Sequence, residues 1–302
     1  MNEYINAYLI FLRDKKKSSD NTVEAYVRDL TSFENYLDKR GLNDITSVKQ
    51  EDIIGFLMDM KKENLSTATI TRRLASTRSF YKFMLDENHV IVNPAKDIKA
   101  PKVVRGEIEY LTIDEIEKLL SLPDESPKGI RDKAIFEVLY GTGIMVSELV
   151  ELRLKDLNLR MGFITCNGNH GKARIVPLGD YAKYAMKRYL SESRPTFIKS
   201  DDGNDEEAAL FVNFMGNAFT RQGLWKILNS YGEKADISKK LTLQIIRHSF
   251  AVHMIENGAD LKTLQELLGH EDISATQVYL QFRKNKIKEV YDRTHPRAIA
   301  KK

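Results

Sequence analysis

Apolar residues recur at three- and four-residue steps through one segment after another, and this periodicity constrains the fold more than any other feature of the sequence. Tyr4, Ile5, Tyr8, Leu9 and Leu12 line one face of a helix, and a second such face runs from Val23 to Leu37. The second helix follows Ser18-Ser19-Asp20-Asn21-Thr22, whose side chains suit a helix N-cap, and precedes Gly41, a stop signal. The pattern predicts a third helix over about Gln50 to Lys62 and a fourth over about Thr67 to Asp86. Four short helices joined by polar loops make a small helical domain.

Between Asn93-Pro94 and Tyr110 the periodicity lapses, with Pro94, Pro101, Lys102 and Arg105 in a polar stretch that reads as a linker. Thr112 followed by Glu115 has the form of a capping box opening a second domain. Helices are expected at about Ile113 to Ser121, Lys128 to Gly141 and Met145 to Leu152. The segments around Phe163-Ile164-Thr165 and Arg174-Ile175-Val176 flank the turn-rich Asn167-Gly168-Asn169-His170-Gly171, which predicts a β-hairpin. Beyond it the pattern is helical to about Val290, apart from a strand candidate at Leu210 to Val212.

A chain of 302 residues suits two domains. Its composition, 42% hydrophobic and 30% charged with 16 Gly and 7 Pro, excludes collagen-like and disordered classes. The lone Cys166 forms neither an intramolecular disulfide nor a cysteine-based metal site. No apolar run approaches the roughly 18 residues of a membrane span, and the first residues lack the order of a signal peptide. The expectation is a cytoplasmic protein without membrane contact and without a metal or other cofactor.

The formal net charge is only +4, but its distribution is uneven. From Lys61 to Arg105 ten basic residues face four acidic ones, and no Asp or Glu occurs between Asn64 and Leu85. Arg72, Arg73, Arg78 and Lys82 all fall in the fourth helix, without acidic neighbours at i,i+4 to neutralise them. Such a segment either forms a solvated face or meets a polyanion, and the one-signed run favours the polyanion. The neighbouring Phe80, Tyr81 and Phe83, at helical spacing, are better read as core.

Near the carboxyl end stand Arg247-His248-Ser249-Phe250, then Leu267-Leu268-Gly269-His270, then Tyr279. Further segments occur in order: Arg72-Arg73-Leu74, Gly141-Thr142-Gly143, Val146-Ser147-Glu148-Leu149, Val176-Pro177-Leu178-Gly179 and Tyr291-Asp292-Arg293-Thr294-His295-Pro296. Together they resemble the tyrosine recombinase (phage integrase) family, and within it the bacterial Xer-like members, over essentially the whole chain. The resemblance implies a mainly α fold: an N-terminal helical SAM-like core-binding domain at 1–98, a linker at 99–107, and an α+β catalytic-type domain with a small β-sheet at 108–302. It also implies site-specific recombination of duplex DNA through a 3′-phosphotyrosine intermediate, by a homo- or hetero-tetramer clamped on its recombination sites.

Chemically, such a reaction needs a phenol held against a phosphate, arginines for the non-bridging oxygens, and a proton for the leaving 5′-oxygen. By resemblance Tyr279 is the nucleophile, Arg247 the second arginine and His270 the third-motif histidine. The family's first arginine is replaced by Met145, its lysine by Asn169 and the histidine of its His-x-x-Arg motif by Gln244. Lys172, in the same turn as Asn169, is the candidate substitute general acid, whereas Arg153 lies too far along the chain from Met145. DNA binding is assigned to Arg72, Arg73, Arg78 and Lys82. The leading expectation is a DNA-binding recombinase with impaired cleavage. One alternative is a non-catalytic subunit regulating a partner recombinase, and another is a helical protein-interaction scaffold.

Overall fold

The computed structural model describes residues 3–102, 106–168, 173–198, 205–239, 241–282 and 295. The chain divides into two compact units, 1–106 and 107–302. Among the described residues no helix is long and apolar enough to cross a membrane.

The first unit consists of α1 (Glu3–Asp14), α2 (Asp20–Lys39), α3 (Gln50–Lys62) and α4 (Thr67–Asp86). Local chemistry sets where these helices begin: Ser19 accepts from the Thr22 amide and Ser66 from the Thr69 amide, each satisfying a donor with no partner inside the helix. Their apolar faces meet in one core of Ile5, Tyr8, Leu30, Phe33, Ile53, Leu74, Phe80 and Tyr81. Phe80, Tyr81 and Phe83 are therefore packing residues. The aperiodic stretch after α4 is only partly a linker, because Asn93, Ala95 and Ile98 are buried and the last two join that core.

The second unit is built from α5 (Ile113–Ser121), α6 (Pro127–Thr142), α7 (Val146–Glu151), β1 (Leu157–Asn158), β2 (Phe163–Asn167), β3 (Ala173–Pro177), α8 (Asp180–Arg188), α9 (Arg194–Phe197), α10 (Arg221–Lys234), α11 (Leu243–Glu256), α12 (Leu261–Leu268) and α13 (Ser274–Gln277). A π-helical stretch, Tyr189–Ser193, joins α8 to α9, and a 3₁₀ turn, Val278–Phe282, follows α13. The Thr112/Glu115 capping box forms as expected, with each side chain taking the other's backbone amide. The strands form an antiparallel sheet in the order β1-β2-β3, with Ile164 opposite Val176 and Cys166 opposite Arg174. The fold is thus mostly helical with a small sheet.

One expectation is corrected here, and one strand was not foreseen. Leu210 to Val212 is no strand of the sheet; it is held by isolated bridges, Arg153 to Ala209 and Val212 to Ala218. β1, two residues long, has too little sequence for a period-2 pattern to register.

Helix α6 is buried on nearly every side and packs against α8 and α11. Helix α11 is likewise enclosed, with Leu243, Ile245, Ile246, Phe250, Ala251, Val252 and Ile255 all buried. Past its exposed first turn the helix is enclosed by apolar neighbours, and there it carries Arg247, buried, and His248, half-buried.

Candidate active site

Arg247 lies on α11 and is 4% exposed. A guanidinium at that depth needs acceptors, and three surround it. Its Nη1 donates to the Gly143 carbonyl at 2.6 Å, and its Nη2 donates to the Leu268 carbonyl at 2.7 Å and to His270 Nε2 at 3.0 Å. Two of these partners depend on backbone turns. Gly143 closes α6 at φ +62°, and Gly269 closes α12 at φ +68°, the left-handed region that favours glycine. Both positions also exclude a side chain: a Cβ at Gly143 would sit 2.2 Å from the Phe250 ring, and one at Gly269 would sit 2.6 Å from Arg174 Nη1.

Arg174, on β3, is the other cation at this point. Its Nε donates to the Leu267 carbonyl at 2.9 Å, and its two terminal nitrogens form a fork on the Glu148 carboxylate from α7. Two guanidiniums thus cap the C-terminal carbonyls of α12, where the helix dipole is negative. The same Glu148 carboxylate accepts from the Met145 amide at 2.7 Å, fixing the start of α7. Met145 is half-buried and lies two residues from the carbonyl that anchors Arg247. Position 145 is therefore close to the buried cation, and it brings a thioether with no charge.

His270 has both ring nitrogens engaged. Because a guanidinium can only donate, Nε2 must accept from Arg247, and Nδ1–H must donate to Thr276 Oγ1 at 2.8 Å. Burial, then the nearby Arg247 and Arg174, push its pKa down to about 4. The imidazole is neutral at neutral pH.

Tyr279, in the turn after α13, is 2% exposed and packs with Phe250, Ile255, Leu264 and Leu268. Its hydroxyl lies 2.7 Å from His248 Nδ1. Burial raises the phenol above its ordinary pKa despite the opposing effect of Arg247, so it is protonated and donates. His248 is lowered by burial and then by Arg247, so it is neutral and accepts. Gln244 is exposed in the first turn of α11, one helical turn before His248.

Of the residues singled out from sequence, Arg247 and His270 touch directly, Met145 is linked to them through Gly143, and Tyr279 reaches α11 through His248. Asn169 and Lys172 lie outside the described residues, between β2 and β3. Arg153 follows the end of α7, and its guanidinium is taken by the backbone carbonyl and carboxylate of Glu207. Sequence reasoning missed the roles of His248, Glu148, Arg174 and Thr276. Glu148 and Arg174 stood in segments the sequence singled out, and His248 beside Arg247, but nothing in the sequence marked Thr276.

In the first unit, the α4 cations, which have no acidic neighbour at i,i+4, meet a carboxylate from another helix. Asp29 on α2, 1% exposed, pairs with Arg72 and lies 3.7 Å from Arg73 Nε. Arg73 also donates to Ser32 Oγ at 2.7 Å. Arg78 donates to the Ala95 and Ile98 carbonyls, so its guanidinium holds the 95–98 turn. Lys82 is exposed, and Arg72 keeps 45% of its side chain accessible.

The profile of the phage integrase family matches residues 109–286, and that of the phage integrase N-terminal SAM-like domain matches residues 5–88. The chain belongs to the phage integrase family. Among its relatives, the tyrosine recombinase XerD of Oceanobacillus iheyensis is 45% identical over 302 residues, covering 99% of this chain and 100% of the relative. The tyrosine recombinase XerD of Listeria monocytogenes serotype 4b is 43% identical over 300 residues, with 99% and 100% covered. The crystal structure of XerA recombinase aligns with a TM-score of 0.54 at 26% identity over 98% of this chain and 99% of that one. The XerH site-specific recombinase, bound to its palindromic difH substrate in a post-cleavage complex, shares the fold with a TM-score of 0.74 at 22% identity, over 92% of this integrase-family chain and 81% of XerH.

Proposed function

We propose that this chain is a XerD-like DNA-binding recombinase subunit that occupies a half-site in duplex DNA and cleaves it slowly. The relatives' activity supports the DNA substrate, and the exposed Lys82 with the partly exposed Arg72 offers cations to phosphates. Tyr279 is the nucleophile, with Arg247 and His270 flanking the phosphate. The observation that carries the reading of slow cleavage is Met145, an uncharged side chain two residues from the carbonyl that anchors Arg247.

An absent preorganised donor costs roughly 10² to 10³ in rate and an absent general acid roughly 10² to 10⁴. Even with strong non-additivity, three replacements slow the chemical step by orders of magnitude. Lys172 is proposed as the substitute acid. The proposed assembly is a tetramer on two DNA sites, with the segment 290–298, outside the described residues, docking into a neighbouring subunit.

The test is a nicked suicide half-site, taken from the duplex this chain selects out of a random pool, which traps a covalent Tyr279–DNA adduct. Met145→Arg, Asn169→Lys and Gln244→His together should raise adduct formation by orders of magnitude while half-site affinity changes far less. Lys172→Ala should abolish the residual cleavage of the unmodified chain. Vigorous cleavage by the unmodified chain, insensitive to Lys172→Ala, would overturn the reading. Tight half-site binding with no adduct, before or after restoration, would favour a non-catalytic regulatory subunit.

A further inference from the structure

We propose that His248 is the proton acceptor for Tyr279, so that activation of the nucleophile is independent of the three replaced positions. The proposal rests on the recombinase reading above. The geometry that carries it is one contact, Tyr279 Oη to His248 Nδ1 at 2.7 Å, inside a site where the phenol is 2% exposed. The rings stand 5.7 Å apart between centroids and 55° from coplanar, so they are tilted and not stacked, and they meet through the hydroxyl and Nδ1.

A buried phenol cannot hand its proton to bulk water, and His248 is the group to which its hydroxyl is bonded. His270 is unsuited to the task, since Arg247 occupies its Nε2 and Thr276 takes its Nδ1 proton. Among the described residues, the charged and titratable groups facing His248 are Arg247 on its own helix, Tyr279 from the turn after α13, and His270 after α12. Arg247 and burial both keep the imidazole neutral, the state in which it can accept.

In the step, the Tyr279 Oη–phosphorus bond forms and the bond from phosphorus to the leaving oxygen breaks. The phenol proton passes to His248 Nδ1, and the leaving group departs with the electron pair. His248 serves the attacking oxygen only. The losses at 145, 169 and 244 then fall on the phosphate and on the leaving group, and a leaving group that needs no proton should reveal an intact attacking half.

The probe is the selected duplex half-site with the departing nucleoside replaced by 4-nitrophenol, in a set of duplexes that move the ester along the site one nucleotide at a time. With the full chain, adduct should form, should vanish in Tyr279→Phe, and should fall by about 10² to 10⁴ in His248→Ala. His248→Asn keeps an amide oxygen near the Nδ1 position, so it can hold the ring but cannot take a proton. It should stay as slow as His248→Ala at neutral pH and gain rate steadily as pH rises towards the phenol's own pKa. In the unmodified chain the rate should fall at acid pH in step with the His248 imidazole titration followed by NMR, a comparison that needs no variant.

Full activity in His248→Asn would make His248 a positioning residue and overturn the proposal. So would an acid limb that does not follow the imidazole, or a chain that binds the half-site yet forms no adduct with any probe. Selection of no duplex at all would instead remove the recombinase reading on which the proposal rests.

Discussion

Arg247 is the residue around which the site is organised, and its burial has consequences for stability as well as chemistry. The cation presses on His270 and His248, and with burial it keeps both imidazoles neutral. A histidine whose folded pKa is depressed to about 4, against 6.5 when free, binds fewer protons folded than unfolded between those values. Stability is therefore complete above about 6.5 and falls as pH drops through that window, by up to about 1.4 kcal/mol per pH unit for each such group. His248 and His253, both also lowered, act in the same direction. Urea unfolding measured from pH 4.5 to 7 should show this slope, and His270→Asn should reduce it by up to one proton's worth whatever it does to stability at pH 7. At this scale the sequence disclosed residue types and spacings, enough to single out Arg247, His270 and Tyr279. It could not disclose the bond from His248 to Tyr279, because the two are 31 residues apart and only the packing of the turn after α13 against α11 joins them.

Elements whose ends are set by local chemistry were legible in the sequence. Gln50–Lys62, Thr67–Asp86 and Ile113–Ser121 start and stop where periodicity, and for the last the Thr112 cap, say they should. Features set by tertiary contact were not. The charge on α4 looked unopposed because Asp29, its buried counter-ion, stands 43 residues before Arg72 on another helix. Arg78 looked like a surface cation, yet it is spent on two carbonyls of the 95–98 turn. The two kinds of basic residue on one helix should separate experimentally. Arg78→Ala leaves the buried Ala95 carbonyl unpaired and should cost about 1 to 3 kcal/mol in denaturant unfolding. Lys82→Ala should stay within about 0.5 kcal/mol of the parent. In DNA binding the order reverses: Lys82→Ala should reduce the slope of log affinity against log salt by about one, the mark of one lost phosphate contact. An unchanged slope in Lys82→Ala together with Arg72→Ala would remove this helix from the DNA surface.

At the scale of the whole molecule, each of the two units has a hydrophobic core of its own. Residues from α1 to Ile98 form one cluster, while those from Leu111 onward form others. A chain of this kind need not unfold in one step. The first unit contains its own caps, its own ion pair on the buried Asp29 and the turn that Arg78 closes, so residues 1–102 expressed alone should fold into a helical domain that melts cooperatively. The positions proposed as replaced, 145, 169 and 244, all fall in the second unit. Met145→Arg puts a third guanidinium near Arg247 and Arg174, and without a bound phosphate that crowding of like charge should destabilise the second unit. In the full chain the triple restoration should therefore lower the unfolding transition of the second unit and leave that of the first where the isolated fragment places it. Half-site DNA should return the lowered transition towards its original position, because the phosphate supplies the missing counter-charge. Calorimetry with and without DNA checks both parts: a shift shared equally by the two transitions would mean that the units unfold as one, and a transition that DNA fails to raise would mean that the restored arginine does not meet the phosphate.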